Sequence, residues 1–158
     1  MHGNMNKLIF SLALCQLAGV IGGLFNAASI RSWYLTVNKP SFNPPNWVFG
    51  PVWITLYLLM GIALFLVWTS DSPGKAKQTA MIFFFIQLAV NMAWSFFFFY
   101  LKSPSLALID IIALLIFILL TLWKFFPVNR TAGYLMLPYL LWVGFAAILN
   151  YSIWTLNR

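Results

Sequence analysis

Two carboxylates, one histidine and one cysteine are the whole conventional catalytic inventory of this 158-residue chain. Asp71 lies in a polar turn and Asp110 inside an apolar run, so no acid–base pair is in place. His2 stands near the N-terminus, outside every apolar run, and Cys15 is alone in the first one. Neither can assemble the His/Cys set of a zinc site, and one cysteine makes no intrachain disulfide. A buried haem iron would normally want an axial His, Cys, Met or Tyr; Met and Tyr remain available, but no imidazole does. The inventory argues against a hydrolase or metalloenzyme, and neither a metal nor a resident cofactor is expected.

Aromatic rings and amides remain, and their spacing is informative. Trp53 and Tyr57 are four residues apart, so on a helix both rings project to one side. Trp142 and Ala146 repeat the spacing with a small residue beside a large one, which leaves a gap where a flat ligand can lie. Ordinary large–small helix packing accounts for that spacing equally well, and more commonly. Asn91, Trp94 and Ser95 share a face at i, i+3 and i+4; Asn91 and Asn150 are otherwise helix-to-helix glue of the kind found in membranes. Asp110 is the single acidic residue within an apolar run. It faces either a bundle interior or, a turn and a half beyond Pro104, the wetted end of its helix. Gly19 and Gly23 form a G-x-x-x-G motif, for close packing inside a bundle or at a dimer seam; Ala80 and the third apolar run offer a second seam.

The elements that must position these residues are membrane spans. The chain is 63% hydrophobic and 7% charged, whereas a soluble domain is about a quarter charged. Five runs, residues 8–30, 47–69, 79–101, 105–123 and 131–157, approach the ~20 residues that cross a ~30 Å hydrocarbon core. They predict a single all-α domain, a five-helix integral membrane bundle with no soluble appendage. The first run is longer than a signal-peptide core and is read as a retained span. Short connections after the second, third and fourth runs predict antiparallel neighbours. The net charge of +7 sits at span ends next to lipid headgroups, without the clustering of a nucleic-acid interface. Basic residues divide five (Lys7, Lys75, Lys77, Lys124, Arg130) against four (Arg31, Lys39, Lys102, Arg158) between the two faces, which sets no orientation.

The connection between the first two spans, residues 33–47, is about three times the usual length. Pro40, Pro44 and Pro45 stop one helix from running into the next. Trp33, Tyr34, Phe42 and Trp47 need somewhere to pack. A long, stiff, aromatic connection beside a bundle is expected to act as a lid over a cavity. Lys39 on it could meet an acidic group at the mouth, or anchor at the interface.

Residues Trp33-Tyr34, Lys39-Pro40-Ser41-Phe42, Pro44-Pro45-Asn46-Trp47 and Trp53 together resemble the translocator protein / tryptophan-rich sensory protein family, also called peripheral benzodiazepine receptors. Gln87 through Asn91 with Trp94, Ala107-Leu108 with Asp110, Pro138-Tyr139-Leu140 with Trp142, and Leu149-Asn150-Tyr151 extend the match almost from end to end. The resemblance implies a five-helix bundle that binds tetrapyrroles such as protoporphyrin IX, and isoquinoline- or benzodiazepine-type drugs, in a transport or sensory role. By position, ligand-lining aromatics fall on Trp53 and Trp142. Tyr34, Pro44 and Phe49 would contribute from the loop side, and Tyr57, Asn91, Trp94, Ser95, Asp110 and Ala146 from the helices. Some bacterial members degrade protoporphyrin in light and oxygen, which would make Trp53 and Trp142 the reactive pair. Homodimerisation is also expected. Phe42, Met92 and Leu106 stand where many members carry tryptophan. The family's cholesterol motif, an apolar–Tyr–basic pattern, fails by one residue, because Arg158 comes too late after Tyr151.

Overall fold

The computed structural model describes residues 2–158. Six helices follow one another: α1 (His2–Ile30), the short α2 (Trp33–Thr36), α3 (Asn46–Thr69), α4 (Gly74–Ser95), α5 (Pro104–Val128) and α6 (Arg130–Leu156). A π-helical turn, Phe96–Tyr100, continues α4. Five of these are long and apolar enough to cross a membrane. They are apolar on all sides because one side meets lipid and the other meets neighbouring helices.

Helix ends differ from the sequence expectation in three places. α1 begins at His2, more than a turn before its apolar run. α5 runs to Val128 and takes in Lys124 and Pro127; Pro127 lies in the last turn, where the ring is accommodated. α4 begins at Gly74, about a turn earlier than its apolar run, because the Asp71–Pro73 turn feeds directly into it. Short caps close the connections. Asn129 Oδ1 accepts from the Ala132 amide at 3.0 Å, and Ser103 Oγ accepts from Leu106 at 3.4 Å. Ser72 Oγ donates to the terminal carbonyl of α5, Val128 O, at 3.0 Å. Each removes an orphan backbone group that lipid could not satisfy.

The expected order of neighbours needs one correction. α4 packs on α5, and α5 on α6, but α3 packs mainly against α1 and α6 and only lightly against α4. The helices therefore close a ring in the order α1, α3, α6, α5, α4. The short α3–α4 connection spans one end of that ring instead of joining its closest neighbours.

Glycines set how near the helices come. A Cβ on Gly61 of α3 would lie 3.0 Å from Leu12 Cα and 3.1 Å from Ser11 O of α1, so backbone meets backbone there. On α1, a Cβ at Gly19 would stand 2.7 Å from the Tyr57 ring. The Gly19 end of the G-x-x-x-G motif is thus taken up inside the bundle. Ala80, the other suggested seam, is fully buried as well.

The core below the cavity carries a polar chain. Tyr57 OH donates to Asn91 Oδ1, Asn91 Nδ2 donates to Tyr139 OH at 2.9 Å, and Tyr139 OH donates to Gln87 Oε1 at 2.8 Å. The chain ties α3, α4 and α6 at one level. Asn91→Leu should lower stability by about 1–2 kcal/mol, since it orphans the Tyr57 phenol and removes the donor to Tyr139, whose own bond to Gln87 is kept. Thermal unfolding in detergent measures this. A Tyr57→Phe background should shrink the Asn91→Leu effect, and an unchanged effect there would show that the two do not act together.

Candidate functional site

One large cavity of about 530 Å³ opens among the helices, within the ~300–1,000 Å³ typical of small-molecule sites. Every long helix contributes to its wall. α3 supplies Phe49, Trp53 and Tyr57 from successive turns. α4 supplies Asn91, Trp94 and Ser95; α6 supplies Trp142 and Ala146; α5 closes the far side with Ile111 and Leu114. The roof comes from Tyr34 on α2 and from Asn46 and Trp47 in the first turn of α3.

Among the residues singled out from sequence, Tyr34, Phe49, Trp53, Tyr57, Asn91, Trp94, Ser95, Trp142 and Ala146 all line this cavity. Pro44 and Asp110 do not. Pro44 is half-buried in the loop outside the roof. Asp110 is half-buried on α5 and turns Oδ2 into an enclosed spot with no hydrogen-bond partner. The interior alternative describes that oxygen, but the side chain is not part of the cavity wall.

The rings are held in place by one another. Trp53 lies 5.5 Å from Tyr57 at a tilt of 31° and 6.3 Å from Tyr139 edge-on. Trp142 sits between Phe49 at 5.9 Å and Phe145 at 5.6 Å. Trp94 stacks on Phe98 at 5.0 Å and donates its indole N–H to Asn150 Oδ1 at 3.0 Å. Asn150 in turn donates to Pro104 O at 2.8 Å, at the start of α5. Asn150 therefore behaves as helix-to-helix glue that also fixes a cavity indole. Aromatic pairs of this kind add about 0.5–1.5 kcal/mol each beyond area burial, and they preorganise the wall.

The long connection is tethered as well as stiff. The Lys39 ammonium donates to the carbonyls of Tyr34 and Val37 and lies 4.4 Å from the Tyr34 ring centre. It is thus a brace for the roof and not a free cation at the mouth. Asn38 N–H donates to Asn157 Oδ1, and Asn157 Nδ2 returns a bond to Asn38 O, both at 2.9 Å. This reciprocal pair pins the connection to the end of α6. Burial among Phe98 and Phe99 pushes the Tyr34 phenol above its ordinary pKa, and it donates to Asn43 Oδ1 at 3.2 Å.

Sequence reasoning missed the α1 wall. Gln16, Gly19, Gly22, Gly23 and Asn26 all line the cavity. Asn26 Oδ1 is enclosed and unpartnered, which leaves an acceptor for a ligand donor. The signal was available: Asn26 is an amide in an apolar run, the property that drew attention to Asn91. Of the two glycines read as a packing seam, Gly19 is in close contact with Tyr57, whereas Gly23 leaves open space.

In chemical terms the cavity is an aromatic, weakly polar box with no charged side chain in its wall. Among the described residues no cluster suitable for a metal ion occurs. Such a site suits a flat, apolar, π-rich ligand with a few hydrogen-bonding groups.

Comparison with known proteins follows the same line. Residues 11–155 match the TspO/MBR family. The chain is 42% identical to a tryptophan-rich protein TspO of Archaeoglobus fulgidus, over 98% of this chain and 99% of that protein. It is 36% identical to a tryptophan-rich sensory protein of Cereibacter sphaeroides, over 98% and 94%. It is also 36% identical to the human translocator protein, over 90% and 85%.

Proposed function

The chain belongs to the TspO/MBR family and is a multi-pass integral membrane protein, and on that premise we propose that its cavity is a receptor or carrier site for a tetrapyrrole of the protoporphyrin IX type. Isoquinoline- and benzodiazepine-type compounds would occupy the same space. The observation that carries the reading is the cavity itself: about 530 Å³, with Trp53 and Trp142 in one wall system and no charge. A macrocycle lying against these indoles buries its faces where water is excluded, and the amides of Asn91 and Asn26 meet its polar edge. The names of the relatives, translocator and sensory protein, support a role in transport or sensing.

An absorption titration of the purified protein with protoporphyrin IX tests this. A saturable, stoichiometric shift of the main porphyrin band is expected. Linear, unsaturable partitioning that matches empty detergent micelles would sink the proposal.

A second reading, light- and oxygen-dependent breakdown of the bound porphyrin, is favoured by one observation: both Trp53 and Trp142 are in the cavity wall, where an excited macrocycle would meet an oxidisable indole. Illumination of the complex in air, with pigment loss followed against Trp53→Phe and Trp142→Phe, separates disposal from carriage.

We further propose a homodimer within the bilayer. Its seam would have to use a lipid-facing surface other than Gly19 or Ala80, because both are occupied within the bundle. Crosslinking in native membranes that traps only monomer would remove this proposal.

A further inference from the structure

A second hollow, about 420 Å³, lies at the end of the bundle where α2, the start of α5 and the end of α6 meet. Its character is opposite to that of the main cavity. Lys102, Arg158, Ser103 and Ser105 line it, flanked by the indoles of Trp33 and Trp154. The Arg158 guanidinium lies over the Trp154 ring, 5.3 Å from its centre. Lys102 adopts a left-handed backbone at φ 53°, a conformation that costs a lysine energy and is held by the tight joint between the π-helical turn and α5.

The side-chain charge of this hollow is unbalanced. Neither acidic side chain lines it: Asp71 is in the α3–α4 turn at the opposite end, and Asp110 lies within α5. Of the other cations on this face, Lys39 is bound to loop carbonyls and Arg31 is not in the lining, so Lys102 and Arg158 are the pair that face the hollow. Two cations, two neighbouring hydroxyls and two indoles at the level where helices leave the bilayer describe the chemistry of a lipid phosphate and its glycerol.

We infer that this hollow binds the headgroup of an anionic phospholipid, with Lys102 and Arg158 on the phosphate, the Ser103 and Ser105 hydroxyls beside them, and Trp33 and Trp154 against the glycerol and upper acyl chain. The site is separate from the main cavity, although α2 walls both: Tyr34 faces one while Trp33 and Thr36 face the other. A lipid diester is favoured over a free phosphate because the apolar ring faces of the flanking indoles would be covered by glycerol and acyl chain, which a free ion lacks.

The test uses the full chain in nanodiscs of phosphatidylcholine with a minor fraction of phosphatidylglycerol, followed by native mass spectrometry of retained lipid. Wild type should hold one phosphatidylglycerol in preference to phosphatidylcholine. Lys102→Gln with Arg158→Gln should lower that retention roughly tenfold or more, and Lys102→Arg with Arg158→Lys should restore it. Lys75→Gln with Arg130→Gln removes the same charge from the opposite face and should change little. An equal loss in that control pair, or no preference for phosphatidylglycerol in wild type, would reduce the effect to general surface attraction and overturn the site. Displacement by millimolar inorganic phosphate would overturn the lipid assignment in favour of a free anion.

Discussion

Trp142→Ala is expected to weaken porphyrin binding by on the order of 1–3 kcal/mol, a loss of about five- to 150-fold. The indole lies in the cavity wall and is wedged between Phe49 and Phe145. Truncation therefore removes a stacking surface and loosens two further rings. Trp53→Ala should act in the same direction, since Trp53 lines the same space and leans on Tyr57 and Tyr139. Trp68, near the end of α3, packs against Phe10 and lies under the Lys7 ammonium. It is outside the cavity, so Trp68→Ala should leave affinity unchanged. Titration of the three variants decides the matter, and wild-type affinity in both cavity variants would remove the indoles from the site.

Gly61→Leu should be the most damaging single change to the fold. Gly61 presses against Leu12 Cα and Ser11 O, and backbone cannot rotate aside as a side chain can. Overpacking typically costs about 1–3 kcal/mol, and here relief requires α1 to move away from α3, which would also distort the Gly19–Tyr57 contact. A large drop in thermal stability in detergent is expected, with Gly61→Ala intermediate. Gly144→Ala on α6, where an added Cβ meets nothing within 4 Å, is the matched control. If Gly61→Leu and Gly144→Ala melt together, the close α1–α3 approach is not a determinant of the fold.

The spans were legible because lipid leaves a coarse, redundant signature: some twenty apolar residues between charges. Their ends were less so, since Pro127 reads as a breaker whereas the final turn of a helix tolerates it. The α2 turn was hidden in a stretch whose prolines announce irregular chain. Cavity residues on α3, α4 and α6 were singled out by the family resemblance, because rings and amides at helical spacing alone fit ordinary helix packing as well. The α1 wall was opaque for a different reason. Gly19, Gly22 and Gly23 contribute by what they lack, and a missing side chain looks the same at a helix seam as at the edge of an empty space. The ring order of the helices was not readable either, because short connections limit which ends meet but leave open which flanks pack.

That α1 wall has a practical consequence. Gly23 faces the cavity, and a Cβ built there touches nothing within 4 Å. The position is therefore a vacant socket: a methyl group can be installed without displacing its neighbours. A bump placed there would exclude bulky occupants and spare slender ones, so a single chemically silent position could serve to build orthogonal receptor–ligand pairs. The bore of this receptor is adjustable at one helix, independently of the indoles that give the interior its chemistry.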